Sequence, residues 1–247
     1  MVTADVDGLY TNIPHERGCA AATKCYERHR KWLTRYCDVN HLRRPPSGAL
    51  FSQLLNSVMT NSLIHFKGRV WVKQMQGTAM GMCISVFFAN AYMWDKSEAQ
   101  LTHPPTGRAA FLRFIDDILV IQSDGNREAI DQLFRDIGGT TLPNGKREMT
   151  YTIDEPDRKV SFLDVIIYFN ADGVIETEPY SKATSTQAFL HYRSNHPTHS
   201  RDAIPLAQLI RLRRITTDFT KFEKAAAQLV KAFRTVSYTH LTLPTIY

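Results

Sequence analysis

Two apolar, β-prone runs flank a pair of carboxylates near the middle of the chain. The runs cover residues 109–115 and 118–121, and Asp116 and Asp117 lie between them. Apolar runs on either side of a short polar turn are typical of a β-hairpin. Because successive strand residues point to opposite faces, the two carboxylates cannot share one solvated face of a sheet. An Asp-Asp pair is also an ordinary turn sequence, since aspartate is favoured in turns.

The remaining apolar patterns predict a mixture of helices and strands. An apolar strand opens the chain at Val2, turns at Asp7-Gly8 and resumes before Pro14. Helical spacing predicts helices at 15–36, 49–64, 82–98, 126–137, 202–218 and 219–235. Alternation predicts a hairpin at 66–75 and strands at 149–153, 160–169 and 174–179. Since the first strand begins almost at residue 1, we expect the chain to be an internal fragment.

Composition and charge point to a nucleic-acid partner. The chain has 247 residues, an ordinary hydrophobic share of 43% and a formal charge of +6. A basic balance favours a polyanion, and no apolar run approaches the roughly 18 residues that a membrane-spanning helix needs. Between Arg193 and Arg234, nine Lys or Arg stand against three Asp or Glu, a net of +6. The excess of positive charge therefore lies towards the C-terminal end. It can be interpreted as a solvated helix face or as a surface that contacts phosphates.

The cysteine and histidine patterns give little support to a metal-thiolate site. None of the four cysteines forms a C-x-x-C pair, which favours reduced thiols in an intracellular protein. Spacings that match no zinc knuckle disfavour a zinc site at Cys25, Cys37 and His41. The histidines at 191, 196 and 199 lack carboxylate or thiol companions.

Acidic residues on separate strands could supply a two-metal phosphoryl-transfer site. Such chemistry needs carboxylates within reach of two Mg²⁺ ions about 3.5 to 4 Å apart. Two or three carboxylates suffice, because Mg²⁺ keeps waters and takes oxygens from substrate phosphates. Asp5 ends the first strand, and Asp116 with Asp117 marks the hairpin turn. These residues can form one site if the two elements are neighbours in a sheet.

The order of these pieces resembles the reverse transcriptases. Residues 5–10 (DVDGLY) resemble motif A, residues 76–81 (QGTAMG) resemble motif B, and residues 114–117 (FIDD) resemble motif C. Among reverse transcriptases the chain is most similar to those of Penelope-like retroelements, over residues 1 to about 235. That closer resemblance rests on residues 9–14, 162–165, 180–184 and 191–197.

The resemblance implies an α+β right-hand polymerase fold, in which an antiparallel palm sheet packed on helices is followed by a mostly helical thumb. The palm would cover residues 1–160 with motifs A, B and C but without fingers. A palm–thumb hairpin would cover 161–180 and grip the primer through residues 162–165. A basic helical thumb would cover 181–236. Residues 237–247 break the helical pattern, and we interpret them as a non-native tail.

The resemblance also implies roles for individual residues. Asp5, Asp116 and the backbone carbonyl of Val6 would hold two Mg²⁺ ions, which Mn²⁺ can replace, and Asp117 would support the catalytic site. The incoming deoxynucleotide would meet Tyr10, which excludes a 2′-hydroxyl, and the pocket lined by Gln76 and Gly77, where glycine lets the backbone approach the base pair. The duplex of RNA template and DNA primer would be contacted by basic residues of the thumb, namely Arg193, Arg211, Arg213 and Arg214. Nuclear or intracellular localisation is implied by the family alone.

Departures from the family pattern leave other readings open. We expect the fingers and the C-terminal endonuclease of many relatives to lie outside this chain, and neither Lys146 nor Lys159 is a convincing motif D lysine. A fragment of this kind could bind metal and primer yet polymerise poorly. The alternatives are a non-catalytic nucleic-acid-binding remnant and a reverse transcriptase of LINE, group II intron or telomerase-like type.

Overall fold

The computed structural model divides into two compact units. It describes residues 1–66, 68, 70–96, 101, 108–122, 126–139, 147–182, 184 and 189–238. The first unit covers residues 2–155, and the second begins at Pro156 and includes Met1. In the described part of the chain, no helix is both long enough and apolar enough to cross a membrane.

A four-stranded antiparallel sheet organises the first unit. Its strand order is β4 (Arg108–Phe114), β5 (Asp117–Gln122), β1 (Val2–Val6) and β6 (Tyr151–Ile153). Alternate residues of β1 are buried, namely Val2, Ala4 and Val6. This period of two turns one face of the central strand to the core. Asp5 lies on the opposite, exposed face.

Helices cover the buried face of this sheet. They are α1 (Leu9–Asn12), α2 (His15–Val39), α3 (Gly48–Thr60), α4 (Ser85–Lys96) and α5 (Arg127–Ile137). A small hairpin of β2 (Leu63–Phe66) and β3 (Val70–Lys73) follows α3. The core is densest at α4, where Phe88, Ala89, Tyr92 and Met93 are completely buried. α5 begins where predicted, since the Asn126 side chain accepts from the N–H groups of Glu128 and Ala129.

The second unit combines a three-stranded meander with two helices. The strands β7 (Lys159–Phe162), β8 (Val165–Phe169) and β9 (Ile175–Pro179) pair antiparallel in that order. The helices α6 (Thr198–Ile215) and α7 (Phe219–Thr235) pack through Leu209, Leu212, Phe222 and Ala226. Tyr238 is fully buried and its ring contacts Phe233. Interpretation of 237–247 as a non-native tail stays a prediction, yet Ser237 and Tyr238, the residues of this segment that the structure describes, belong to the fold.

Several predicted elements are wrong in type or limits. The strand predicted at 160–169 is two strands, because Leu163 adopts φ 56 and reverses the chain. The strand expected to resume after Gly8 is the short helix α1. The helix predicted to reach residue 64 ends at Thr60, because Asn61 leaves helical geometry at φ −107 and ψ 15 and its side chain donates to the Ser57 carbonyl. The hairpin after it therefore begins at Leu63 instead of residue 66.

Other boundaries shift by a few residues. α4 begins at Ser85, three residues after the predicted start at residue 82. The helix predicted from residue 202 begins at Thr198, directly after Pro197. Pro197 is the N-cap of this helix, and its φ of −54 and ψ of 140 are not helical, so the helix begins at the next residue. β6 begins at Tyr151, two residues later than predicted.

Candidate polymerase active site

The pairing of β1 with β5 brings the predicted carboxylates together. In the antiparallel register the Cα of Asp5 lies opposite that of Asp117. The main-chain N–H of Val6 donates to the carbonyl of Asp116 at 3.1 Å, so the hairpin turn sits at the end of β1. The condition for a shared site, that the two elements be neighbours in one sheet, is therefore met.

The turn that carries Asp116 has an unusual backbone. Phe114 pairs with Asp117, which leaves Ile115 and Asp116 as a two-residue turn. Ile115 has φ 56, a left-handed conformation that is rare for a β-branched residue. The Arg113 guanidinium supports it by donating to the Ile115 carbonyl at 2.7 Å and to the Asn90 side chain at 2.8 Å. Strain that the surrounding structure maintains is a feature of functional sites.

Negative charge is concentrated around Asp5. Partial burial and the neighbouring Asp116 carboxylate raise the pKa of Asp5, and Asp7 and Asp154 act in the same direction. The last two carboxylates have local partners, since Asp7 accepts from the Thr152 hydroxyl and Asp154 from the Thr3 hydroxyl. Within the described residues, neither Asp5 nor Asp116 makes an ion pair with a lysine or arginine. A bound cation would relieve this repulsion.

The donor set fits a hard divalent cation. Asp5, Asp116 and the nearby main chain of Val6 offer oxygen ligands, which Mg²⁺ prefers. Over the described ranges, no group of three or more His, Cys, Asp or Glu side chains could hold a metal ion. A metal site here would therefore consist of two carboxylates completed by main-chain, water or substrate oxygens, which is how Mg²⁺ is commonly bound.

The loop after β3 folds back onto α1. The N–H of Gly77 donates to the Ile13 carbonyl at 2.8 Å, and Nε2 of His15 lies 2.7 Å from the Gly77 carbonyl oxygen. Gly77 has φ 74, and a Cβ there would lie 2.4 Å from the Tyr10 carbonyl oxygen. Glycine is thus required twice, by the backbone conformation and by the close approach. Sequence analysis did not identify His15 as part of this contact.

The neighbours of Gly77 continue the contact. The Gln76 side chain donates to the Asn12 carbonyl at 2.7 Å, and the Thr78 N–H donates to the Tyr10 carbonyl at 2.6 Å. The buried Thr78 hydroxyl lies 2.6 Å from that of Ser85, at the start of α4. The segments that contain Tyr10, Gln76 and Gly77 are therefore in contact with each other. The backbone that Gly77 approaches closely is that of Tyr10 and Thr11. The predicted role of Gly77 towards a base pair stays a prediction.

A buried carboxylate that sequence analysis missed braces the helices behind the sheet. Glu148 has a side chain only 1% exposed and binds Nη1 of Arg17 in α2 at 2.5 Å. It also accepts from the Tyr92 hydroxyl in α4 at 2.5 Å. Burial and this carboxylate raise the pKa of Tyr92 well above its ordinary value. Neither apolar periodicity nor motif spacing could predict that Glu148 is buried and paired, because its partners Arg17 and Tyr92 are distant in sequence.

The predicted thumb residues differ in their surroundings. All four arginines are exposed, but their partners differ. Arg211 forms an ion pair with Asp164 in the β7–β8 turn. Arg213 donates to the Thr216 carbonyl at 3.1 Å, and its guanidinium lies 5.9 Å from the Phe219 ring. Arg211 and Arg213 therefore have partners within the second unit.

The two candidates for a motif D lysine have separate outcomes. Lys159 is paired with the Glu178 carboxylate at 2.8 Å. Lys146 lies outside the described residues. Lys221 also binds Glu178, at 2.8 Å, and the two ammonium groups hold the pKa of that carboxyl below its ordinary value.

The chain is similar in structure to telomerases. Telomerase from Candida albicans, in complex with a TWJ fragment of telomeric RNA, matches with a TM-score of 0.61 and 12% identity, over 100% of this chain and 42% of that one. Apo telomerase from Candida tropicalis matches with a TM-score of 0.51 and 12% identity, over 95% and 46%. The chain thus spans less than half the length of either telomerase. At this identity the likeness shows the fold, and the predicted α+β palm followed by a helical thumb is confirmed.

Comparison at the level of sequence adds a match at the C-terminal end. The family model for an animal helix-turn-helix domain matches residues 188–240, which include α6 and α7. No curated protein matches the chain.

Proposed function

We propose that the chain is the palm and thumb part of an RNA-directed DNA polymerase of a Penelope-like retroelement. The observation that carries this proposal is the pairing of β1 with β5, which brings Asp5 opposite the Asp116-Asp117 turn. Its support comes from a reverse-transcriptase-like fold and from the order of motifs A, B and C along the chain. The Penelope-like assignment rests on the sequence resemblance alone.

In the proposed reaction a primer 3′-hydroxyl attacks the α-phosphate of a deoxynucleotide, and pyrophosphate leaves. When bound, two Mg²⁺ or Mn²⁺ ions supply the activation of the hydroxyl and the neutralisation of phosphate charge. Asp5, Asp116 and the Val6 carbonyl would hold those ions. Asp117, the first residue of β5, keeps the turn in register with β1. Repulsion between Asp5 and Asp116 prepares the site for a cation.

The same site would select and position the nucleotide. The Tyr10 side chain would lie under the incoming sugar and exclude a 2′-hydroxyl. The fold fixes its backbone, because the Tyr10 carbonyl accepts from Thr78 and is in close contact with Gly77. The loop that carries Gln76 therefore responds to any displacement of Tyr10.

The thumb would bind the duplex of RNA template and DNA primer without reading its sequence. Arg193 and Arg214 are exposed and, among the described residues, make no ion pair, so they are suited to phosphate contacts. Arg211 would instead position the β7–β8 turn through Asp164, so its substitution would act through the primer grip.

Primer extension on an RNA template tests this function. The protein should include a fingers segment, be supplied with Mg²⁺ or Mn²⁺, and be compared with Asp116→Asn and with Asp172→Asn. We expect Asp116→Asn to lower the extension rate by about 100-fold or more, because one ligand of the phosphate-binding ions is lost. Asp172→Asn, which changes an exposed acid in the β8–β9 turn, should extend like the parent.

Two outcomes would overturn the proposal. Asp116→Asn that extends primers as well as the parent would exclude this carboxylate as a metal ligand. Salt-dependent duplex binding without metal-dependent extension, in a protein with fingers, would identify a non-catalytic nucleic-acid-binding remnant instead.

A further inference from the structure

The C-terminal half of α2 carries an exposed aromatic pair. Trp32 and Tyr36 lie one helical turn apart, with ring centroids at 5.5 Å and ring planes inclined by 22°. Their exposed fractions are 63% and 49%, so neither ring is part of the core. Exposed aromatic rings present flat apolar faces on which a planar ligand can stack.

The same segment is strongly basic. From Arg28 to Arg44 the chain has six Lys or Arg and one acid, a net of +5. Lys31 and Arg35 are exposed and lie beside the aromatic pair on one face of the helix. In the described part of the chain neither is in an ion pair. Two exposed cations, Lys31 and Arg35, therefore flank the two exposed rings.

Two acidic side chains lie near this face. Asp38 binds Arg44 at 2.8 Å. Glu27 lies four residues before Lys31 and is therefore on the same side of the helix as that lysine. Its carboxylate lies against Gly48 at the start of α3, where an added Cβ would be 1.4 Å from Oε1. The face formed by Lys31, Trp32, Arg35 and Tyr36, here called the α2 platform, thus places two cations beside two rings, while the nearest carboxylates are turned towards Arg44 and the start of α3.

We propose that the α2 platform binds single-stranded nucleic acid, with bases stacked on Trp32 and Tyr36 and phosphates held by Lys31 and Arg35. Aromatic rings interleaved with cations are the combination that single strands use, because unpaired bases expose their faces. A duplex keeps its base faces covered, so it would use the cations alone. A second copy of this chain is disfavoured as the occupant, since two such faces would bring like charges together.

The α2 platform is separate from the candidate active site. α2 begins at His15, beside Gly77, and Trp32 is 17 residues further along. At 1.5 Å per residue this is about 25 Å. The inference depends on α2 alone and does not require the chain to polymerise. Its failure would leave the Asp5 and Asp116 proposal untouched, and the reverse also holds.

Binding of labelled homopolymers tests the inference on the full chain. Oligo(dU) and oligo(U) of about 12 nucleotides, which differ only in the sugar and are within the range of single-strand site sizes, would be titrated by fluorescence anisotropy. We expect Trp32→Ala/Tyr36→Ala to weaken binding of the preferred strand by about tenfold or more. Leu54→Ala, which removes an equally exposed apolar side chain from α3, should bind like the parent. The stronger of the two strands identifies the sugar that the platform prefers.

Charge and stacking can be separated in the same assay. Lys31→Gln/Arg35→Gln should reduce the slope of log affinity against log salt by about 1.4, because two phosphate contacts at about 0.7 each are lost. Quenching of intrinsic fluorescence on binding should be lost in Trp32→Phe, although this variant keeps a stacking ring. The affinity of the protein for a duplex of equal length should not change in Trp32→Ala/Tyr36→Ala.

The inference fails if the aromatic double variant, folded as judged by circular dichroism, binds both homopolymers with the parent's affinity and salt slope. It also fails if light scattering shows a dimer of the parent that the double variant loses. That result would assign the α2 platform to a second copy of the chain.

Discussion

Asp116 and Asp117 are adjacent in sequence but differ in position. Asp116 is the second residue of the turn, and its carbonyl accepts from Val6. Asp117 begins β5 and pairs with both Phe114 and Asp5. The turn residue is therefore free to present its carboxylate to a ligand, whereas the strand residue fixes the register. The family resemblance assigned the metal to Asp116 and a supporting role to Asp117, whereas the local pattern placed both residues in a turn without telling them apart, because the register depends on β1.

The pH dependence of stability should report the repulsion at Asp5. Burial and Asp116 raise the pKa of Asp5 in the folded state. A group of this kind favours folding most below its unfolded pKa of about 3.9, and this contribution is lost as pH rises through the folded-state pKa. Asp5→Asn should therefore be more stable than the parent at pH 7. The gain should be less than about 1 kcal/mol, because solvent screens this exposed side chain.

Chemical denaturation at several pH values would measure this difference. The gap between Asp5→Asn and the parent should close below about pH 3, where Asp5 is protonated in both states. Asp172→Asn serves as the control for loss of a carboxylate in a turn. An Asp5→Asn protein less stable than the parent at pH 7 would show that the Asp5 charge is stabilised and not repelled.

Gly77 and Gly81 allow a matched test of the close approach to α1. Both have positive φ, at 74 and 92, but only Gly77 has backbone where a Cβ would be placed. We expect Gly81→Ala to cost about 1 kcal/mol from backbone strain alone. Gly77→Ala should cost several kcal/mol, because the added Cβ would overlap Tyr10 and Thr11 and force the loop off α1. Equal losses in urea denaturation would contradict the structural role of Gly77.

At the scale of elements, the buried Glu148 joins α2 and α4 to the segment before β6. Tyr92→Phe removes a hydrogen bond to a charged acceptor that is almost completely buried. We expect a loss of about 1.5–3 kcal/mol in the free energy of unfolding. The matched control is Tyr26→Phe, which removes a 2.7 Å hydrogen bond to the neutral Pro46 carbonyl and should cost about 0.5–1.5 kcal/mol. A smaller loss for Tyr92→Phe than for Tyr26→Phe would show that Arg17 alone satisfies Glu148.

Elements with a local signal were predictable from sequence. α7 begins at Phe219 and ends at Thr235 as predicted, and the Asp218 side chain caps it by accepting from the Lys221 N–H. The turn at Leu163 was not predicted, because an unbroken apolar run hides a reversal that depends on a left-handed residue. Its sequence signal is a likeness to the other hairpin, since residues 162–164 (FLD) and 114–116 (FID) share an aromatic–aliphatic–aspartate order. Leu163 and Ile115 both have φ 56.

At the scale of the whole molecule, the carboxylates of the site could be found from sequence and their supports could not. Asp5 and Asp116 belong to motifs whose order along the chain carries the information. His15 and Glu148 have no such motif, since their contacts join residues that are 62 and more than 50 positions apart. The fold followed from the ordered motifs, and the likeness to telomerases confirms it. The left-handed backbone of Ile115 could not be predicted, because a β-branched residue gives no sequence signal for a positive φ.

The claim that Asp5 and Asp116 together hold divalent metal is the centre of this account. The most direct test measures Mn²⁺ binding to the full chain in the presence of a deoxynucleotide. Electron paramagnetic resonance of the free Mn²⁺ gives the amount that is bound. We predict that Asp5→Asn and Asp116→Asn each weaken binding by about tenfold or more, whereas Asp117→Asn and Asp172→Asn retain most of it. Parent-like Mn²⁺ binding by both Asp5→Asn and Asp116→Asn would contradict the account.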